Sequence, residues 1–249
     1  MRVVAPAVAL AVLLAAWQLV VACGIVPDYL LPAPTSVVSA LVTDAPLLAG
    51  HAMVTLVEAL IGLGAGLVLG MALATLMDRF LPVRAALAPI VTVSQTIPTI
   101  AIAPLLVLWL GYGILPKVVL VAVTTFFPVV VSLLEGFASV SEDQLDLMRT
   151  MGASRWQTYW HVKLPAALPH LMSGLKISAT YAIVGAVISE WLGGNEGLGV
   201  YMTRVRKSFS YDRMFACIVV ISALSLVLMR VIDLVRHLIM PWESPRGRS

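Results

Sequence analysis

The sequence predicts an all-α integral membrane protein with about six transmembrane helices, and three observations carry that expectation. Of 249 residues, 60% are hydrophobic and only 12% charged, with a mean hydropathy of +0.99, whereas ordinary soluble domains carry about 25% charged residues. Six stretches come near the run of about 20 mainly apolar residues that a spanning helix needs. One long polar segment, residues 135–176, interrupts them. A soluble fold of this length would need far more polar surface than these residues supply.

The stretches are Val4–Cys23, Ala52–Met77, Ile90–Leu110, Pro116–Leu134, Ile177–Ile188 with a continuation to Leu192, and Phe215–Leu238. An even number puts both termini on one side. With the termini inside, the cytoplasmic segments hold Arg2, Arg79, Arg84, Arg149, Arg155, Lys163, Lys176, Arg236, Arg246 and Arg248. Lys117, Arg204, Arg206, Lys207 and Arg213 then lie outside, and the excess of cations inside favours cytoplasmic termini, although the 204–213 cluster pulls the other way locally. The net charge of +3 is small and scattered, which gives no footprint for nucleic acid. Cys23 and Cys217 both sit in apolar segments, so no disulfide framework is implied. Val20-Val21-Ala22-Cys23 loosely resembles a lipoprotein signal, but the thin positive end and the membrane-embedded remainder favour a retained helix.

Several features within and between the spans carry expectations. Leu31-Pro32-Ala33-Pro34 leads into a short helix through Leu41, capped by Thr35 or Ser36, which either lies on the membrane surface or forms an ordered loop. Gly62, Gly66 and Gly70 repeat every fourth residue, so one face of span two admits another helix backbone closely. Glu58 in the same span is an intramembrane carboxylate, either functional or reaching the interface. Pro98 and Pro104 interrupt span three downstream of Ser94. Freed backbone at membrane depth is tolerated inside protein or beside a water-filled path. Gln95, Thr96 and Thr99 are therefore candidates for lining a translocation path, the alternative being a kinked, packed helix.

The polar segment has clear local signals. Ser141 with Gln144 makes a capping box, and Glu142 and Asp143 sit where the helix dipole favours acids. That helix presents Leu145, Met148 and Met151 or Gly152 along one stripe, and Gly152 supplies the stop with φ > 0. Ser154 with Gln157 opens a second short helix, expected to end near Pro165. Two short helices joined by a glycine turn, too polar for lipid, make a docking knob.

The stretch Asp146-Leu147-Met148, through Gly152, Ala153 and Ser154, to Val162-Lys163-Leu164-Pro165 resembles the cytoplasmic loop motif of binding-protein-dependent ABC importer permeases. Gly152 and Leu164-Pro165 fall at the family spacing, and Val162 stands for isoleucine. Asp146 keeps the leading carboxylate, while Leu147 and Met148 replace two alanines. Over nearly the whole chain the sequence is similar to permeases of the nitrate, sulfonate and taurine group, which includes transporters of thiamine-pyrimidine precursors. The matching features are Leu31-Pro32-Ala33-Pro34, the run from Pro98 to Pro104, Phe126-Phe127-Pro128, Glu190-Trp191-Leu192-Gly193-Gly194 and Gly197-Leu198-Gly199, the last looking most like the pyrimidine-precursor branch.

The resemblance implies a single permease domain over residues 1–249, with the ABC importer type I fold and 135–176 as the cytoplasmic coupling loop. It implies a bacterial inner membrane, a second, identical permease copy, a cytoplasmic ATPase dimer carrying ATP and Mg, and an extracytoplasmic substrate-binding protein. The solute is then small and polar or anionic. The loop Asn195–Arg213 is either a contact for the binding protein or an anionic substrate, or a plain solvated loop.

No GxxxxGK[ST] loop occurs, so any ATP belongs to a partner. His51, His161, His170 and His237 lie far apart, no cluster has metal spacing, and no cofactor is expected on this chain. An ion-coupled secondary transporter would depend on Glu58, Glu190 or Asp233. Asp233 lies three residues from Arg230, which suggests an ordinary helical pair. A membrane enzyme could draw only on Glu135, Glu142, Asp143 and Asp146, which their positions near the start of a helix explain, so the chain is not expected to be an enzyme.

Overall fold

In hydrocarbon a peptide group finds no water, so each crossing must satisfy its own backbone. The computed structural model, which describes residues 4–28 and 30–241, meets this with helix and, among the described residues, no strand. Arg2, Arg246 and Arg248 lie outside the described residues. The elements are α1 (Val4–Ala22), α2 (Pro34–Thr43), α3 (Ala45–Arg79), α4 (Leu81–Ser94), α5 (Thr99–Leu110), α6 (Ile114–Ala138), α7 (Glu142–Thr150) and α8 (Arg155–Thr158). A π-helical turn, Tyr159–Lys163, leads into α9 (Leu164–Gly193), followed by α10 (Leu198–Lys207) and α11 (Tyr211–Ile239).

Five helical segments are long and apolar enough to cross alone, and α4 with α5 forms a sixth, broken pair bent by 99°. Packing shows that the broken pair does cross. Gly62, Gly66 and Gly70 of α3 meet Val121, Thr125 and Val129 of α6 in the same order, so α3 and α6 run parallel. Parallel neighbours need a return crossing between them, and α4–α5 is the only chain available. The last residues of α3 meet the start of α9 at Lys163–Asp78, while Thr55 near its beginning meets Glu190 near the end of α9. The bundle therefore has an α7 end and an α10 end, and α1 begins and α11 finishes at the α7 end.

Lipid gives no hydrophobic drive for one helix to leave it for another, so close approach and dispersion hold the bundle. A Cβ on Gly62 would stand 3.0 Å from the Val118 carbonyl, one on Gly70 2.8 Å from Val129 Cγ1, and one on Gly66 against Thr125 Oγ1. The packing expectation for this stripe holds. The α6–α9 seam repeats the device, with Gly174 of α9 against Ser132 and the Pro128 carbonyl. Ser178 Oγ also donates to the Thr125 carbonyl at 2.8 Å across that seam.

Several expectations need correction. Neither Thr35 nor Ser36 caps α2, because Pro34 opens that helix with Ala33 at the N-cap position and no side-chain cap bond. Proline is suited to the first turn, where an amide hydrogen has no helical partner. Helix α2 runs on to Thr43, and Val37 and Ala40 are buried in a cluster with Leu48, Val205 and Ala216, so one face packs on protein. The second polar helix does not end near Pro165, since residues 155–193 form one continuous 39-residue helical segment. Pro165 has no amide to bond one turn back, and the wider π turn just before it absorbs that gap. Asp233 is not held by Arg230: both its carboxylate oxygens accept from Lys176 Nζ at 2.8 Å. Finally, residues 195–213 are not simply a loop, because α10 lies within them.

The glycine stripe yields a paired test. Gly66→Leu should destabilise the bundle by at least ~1–3 kcal/mol, the usual overpacking cost, and lower Tm in detergent. Gly64→Leu, where an added Cβ meets nothing within 4 Å, should leave Tm unchanged. Equal Tm values for the two variants would contradict the α3–α6 seam.

Candidate functional site

The projecting turn at the α7 end begins where α6 stops at Ala138. Ser141 and Gln144 cap α7 reciprocally: the Gln144 amide donates to Ser141 Oγ at 3.4 Å and the Ser141 amide to Gln144 Oε1 at 3.3 Å. No residue of α7 is buried. Asp146 and Arg149 form an exposed pair at 2.6 Å, an interaction worth little in water. Gly152, at φ 73°, turns the chain: its amide donates to the Arg149 carbonyl at 3.0 Å and the Ala153 amide to the Met148 carbonyl at 2.9 Å. These two bonds are the Schellman stop that the glycine was expected to supply. Ser154 and Gln157 repeat the reciprocal cap for α8, at 3.2 and 2.8 Å.

The turn is apolar where it could have been polar. Leu147, Met151 and Trp156 are 60%, 72% and 68% exposed, while Leu145 and Met148 are half-buried. Val162, Leu164 and Pro165 are also half-buried, inside the continuous helix. The sequence did not reveal how the turn is tied down. Tyr159 Oη meets Thr75 Oγ1 at 3.0 Å, and Lys163 Nζ bonds both oxygens of Asp78 at 2.9 and 2.8 Å. Both ties reach the last two turns of α3, more than 80 positions earlier, and no local pattern announces such a pair.

Gln95 and Thr96 occupy the break between α4 and α5, and Thr99 opens α5, so the structure gathers these three at one bend within a crossing. Gln95 and Thr96 are exposed and Thr99 half-buried. Thr96 Oγ1 donates to the Val93 carbonyl at 2.7 Å and Gln95 Nε2 to the Val91 carbonyl at 3.5 Å, so each turns back on the end of α4. The bend and the projecting turn are separate sites.

At the α10 end lies a buried polar centre. Thr55 Oγ1 donates to Glu190 Oε1 at 2.7 Å and accepts from the Leu198 amide at 2.9 Å. The Gly197 amide donates to His51 Nδ1 at 3.0 Å and the Gly199 amide to Glu190 Oε2 at 2.6 Å. Side chains of α3 and α9 thus occupy the first amides of α10, and Glu190 meets the positive end of that helix. Lys117 donates to Glu58 at 2.6 Å, so Glu58 stays within the bundle instead of reaching the interface. Tyr201 of α10 donates to Asp44 at 2.7 Å; burial first, and that acceptor second, raise its hydroxyl pKa above the ordinary value. Among the described residues no group of three or more His, Cys, Asp or Glu side chains could hold a metal ion.

Six crossings, one of them broken, around glycine-packed seams define a multi-pass helical membrane subunit. A probable ABC transporter permease of Haemophilus influenzae is 40% identical over 95% of this chain and 96% of its own length. The formylaminopyrimidine transport permease ThiX of Halalkalibacterium halodurans is 37% identical over 87% of each chain, and permeases named for taurine and nitrate are more distant relatives. The MetNI methionine ABC transporter, solved in an inward-facing conformation, shares the fold with a TM-score of 0.67 at 19% identity, over 78% of this chain and 96% of that one. The chain belongs to the binding-protein-dependent transport system inner membrane component family, which it matches over residues 66–240. It is a permease subunit of an ABC importer, a multi-pass inner-membrane protein that works with a separate ATPase and a binding protein and is not itself an enzyme.

Thr55 joins α3, α9 and α10 through one oxygen, so Thr55→Val should expose α10. Removing the partner of a buried polar group costs ~1–3 kcal/mol, and 1.4 kcal/mol is tenfold. Amide hydrogen exchange over residues 198–205 should accelerate about tenfold. Unchanged protection would show that apolar contacts alone hold this helix.

Proposed function

We propose that this permease imports a small, polar nitrogen heterocycle of the aminopyrimidine kind, and that the turn from Glu142 to Lys163 couples its crossings to a cytoplasmic ATPase dimer. The observation that carries the substrate class is the extent of the likeness to the formylaminopyrimidine permease. The uncharged Gln95, Thr96 and Thr99 at the α4–α5 bend suit a hydrogen-bonding, uncharged solute better than a sulfonate. A second, identical copy closes the path against this crossing, where Leu108 and Trp109, at the end of α5 away from the bend, are 77% and 69% exposed. An extracytoplasmic binding protein delivers solute at the α10 end.

The α7 end is the cytoplasmic one in this reading, because Arg79, Arg84, Arg149, Arg155, Lys163, Lys176 and Arg236 gather there. Leu147, Met151 and Trp156 offer an apolar face to a groove on the ATPase, and Asp146, Ala153 and Ser154 shape its rim and turn. ATP and Mg sit on that partner. As the ATPases close, the turn is dragged with them, and its ties to Thr75 and Asp78 carry α3 along. The segment 155–193, with 39 residues and about 58 Å long at 1.5 Å per residue, transmits the displacement through the membrane to Glu190 and α10.

Gly152→Val puts a β-branched residue at φ 73°, which such residues resist. Membrane insertion should persist, while ATPase capture and ATP-driven uptake fall to background. Gly152→Asn should keep part of both, since Asn tolerates this conformation. Unimpaired uptake by Gly152→Val would remove the coupling role. The substrate class is tested in proteoliposomes with the cognate ATPase and binding protein, where labelled formylaminopyrimidine should accumulate and taurine should not. Accumulation of taurine alone would overturn the heterocycle reading.

A further inference from the structure

The buried centre at the α10 end contains an imbalance that neither the coupling turn nor the bend uses. Glu58 of α3, Lys117 of α6 and Glu190 of α9 are 4%, 5% and 1% exposed, so two carboxyl groups share one ammonium away from water. Each oxygen of Glu190 accepts a hydrogen bond, one from Thr55 Oγ1 and one from the Gly199 amide. Thr55 Oγ1 also lies 3.1 Å from the His51 carbonyl, so its single proton can go there and leave Glu190 Oε1 free to carry a proton toward Thr55. Glu58 Oε1 accepts from Lys117 at 2.6 Å, whereas Glu58 Oε2 is buried with no hydrogen-bond partner.

The other groups facing the centre do not repair the balance. His51 of α3 accepts the Gly197 amide on Nδ1, which a doubly protonated ring could not do, so it is neutral. Cys217 of α11 donates its thiol to the Leu198 carbonyl. Tyr201 of α10 is bonded to Asp44, which also pairs with Arg213 at 3.1 Å. Arg204 of α10 and Glu196 in the preceding turn are both exposed, and Arg204 donates to the Asn195 carbonyl. The net charge of the buried set is therefore −1 if both carboxyls are ionised, and zero if one of them carries a proton. A buried charge without compensation is far costlier than a neutral carboxyl.

We propose that the Glu58–Lys117–Glu190 centre binds one proton from solvent, held by its two carboxyl groups together. Lys117 stays an ammonium, and Glu58 and Glu190 carry one proton and one negative charge between them. A transport step that lifts α10 off Glu190 would open the centre to water and release that proton.

Infrared spectroscopy of the wild-type protein in lipid at neutral pH reads this directly. A carbonyl stretch of a protonated carboxyl, shifted in heavy water and amounting to one per chain, is expected. Glu58→Gln should abolish the band. Glu190→Gln should abolish it as well, because Glu58 then ionises against Lys117. The wild-type spectrum decides whether the proton is present even where a variant fails to insert. Absence of the band in the wild type, or its survival in either inserted variant, overturns the proposal.

Discussion

Hydrocarbon supplies no partner for a peptide group, and that requirement shapes nearly every element of this chain. Crossings stay helical through internal prolines, as at Pro128 in α6 and Pro169 in α9. Hydroxyl groups within the spans turn back on their own helix, as Thr124 does to the Val121 carbonyl and Ser222 to the Ile218 carbonyl. With the backbone closed in this way, association depends on how closely helices approach. The glycines of α3 and α9 hold both seams to α6 at contact distance.

Departures from regular α-helix fall at the two sites to which roles are proposed above. The break at residues 95–98 frees backbone groups within a crossing, where only protein or an aqueous path can meet them. The π turn at Tyr159–Lys163 lets the helix of the projecting turn run on into α9 past Pro165, so that turn is mechanically continuous with a crossing. A flexible linker there would dissipate a push from an ATPase, whereas an unbroken helix would transmit it. At the opposite end, the same helix finishes on Glu190, whose carboxylate holds α10.

Much of this was legible because it is local. The capping boxes at Ser141 and Ser154, the stop at Gly152 and the glycine spacing in α3 each involve residues within a turn or two of one another, so spacing alone specifies them. The apolar runs located the crossings, though α3 and α11 proved longer than their apolar cores. Three-dimensional partners were not legible. Asp78 and Lys163, Asp233 and Lys176, and Glu58 and Lys117 are separated by most of a crossing or more, and a sequence offers several cations to each acid. The expected end at Pro165 failed for a different reason: the rule that proline stops a helix assumes an undistorted helix, and one π turn evades it. His51 and the first amides of α10 could not be matched because their proximity depends on how α3 packs against α9.

The central proposal is that the Gly152 turn meets the ATPase. Its most direct test is site-directed cross-linking in a chain whose Cys23 and Cys217 are replaced by alanine, with one new cysteine introduced as Met151→Cys or as Phe209→Cys beyond α10; these positions are 72% and 73% exposed. The account predicts that Met151→Cys cross-links to the ATPase subunit in the assembled complex, with a yield that changes when ATP binds, and that Phe209→Cys does not. An assembled complex in which Met151→Cys fails to cross-link, or in which Phe209→Cys reaches the ATPase, would contradict it.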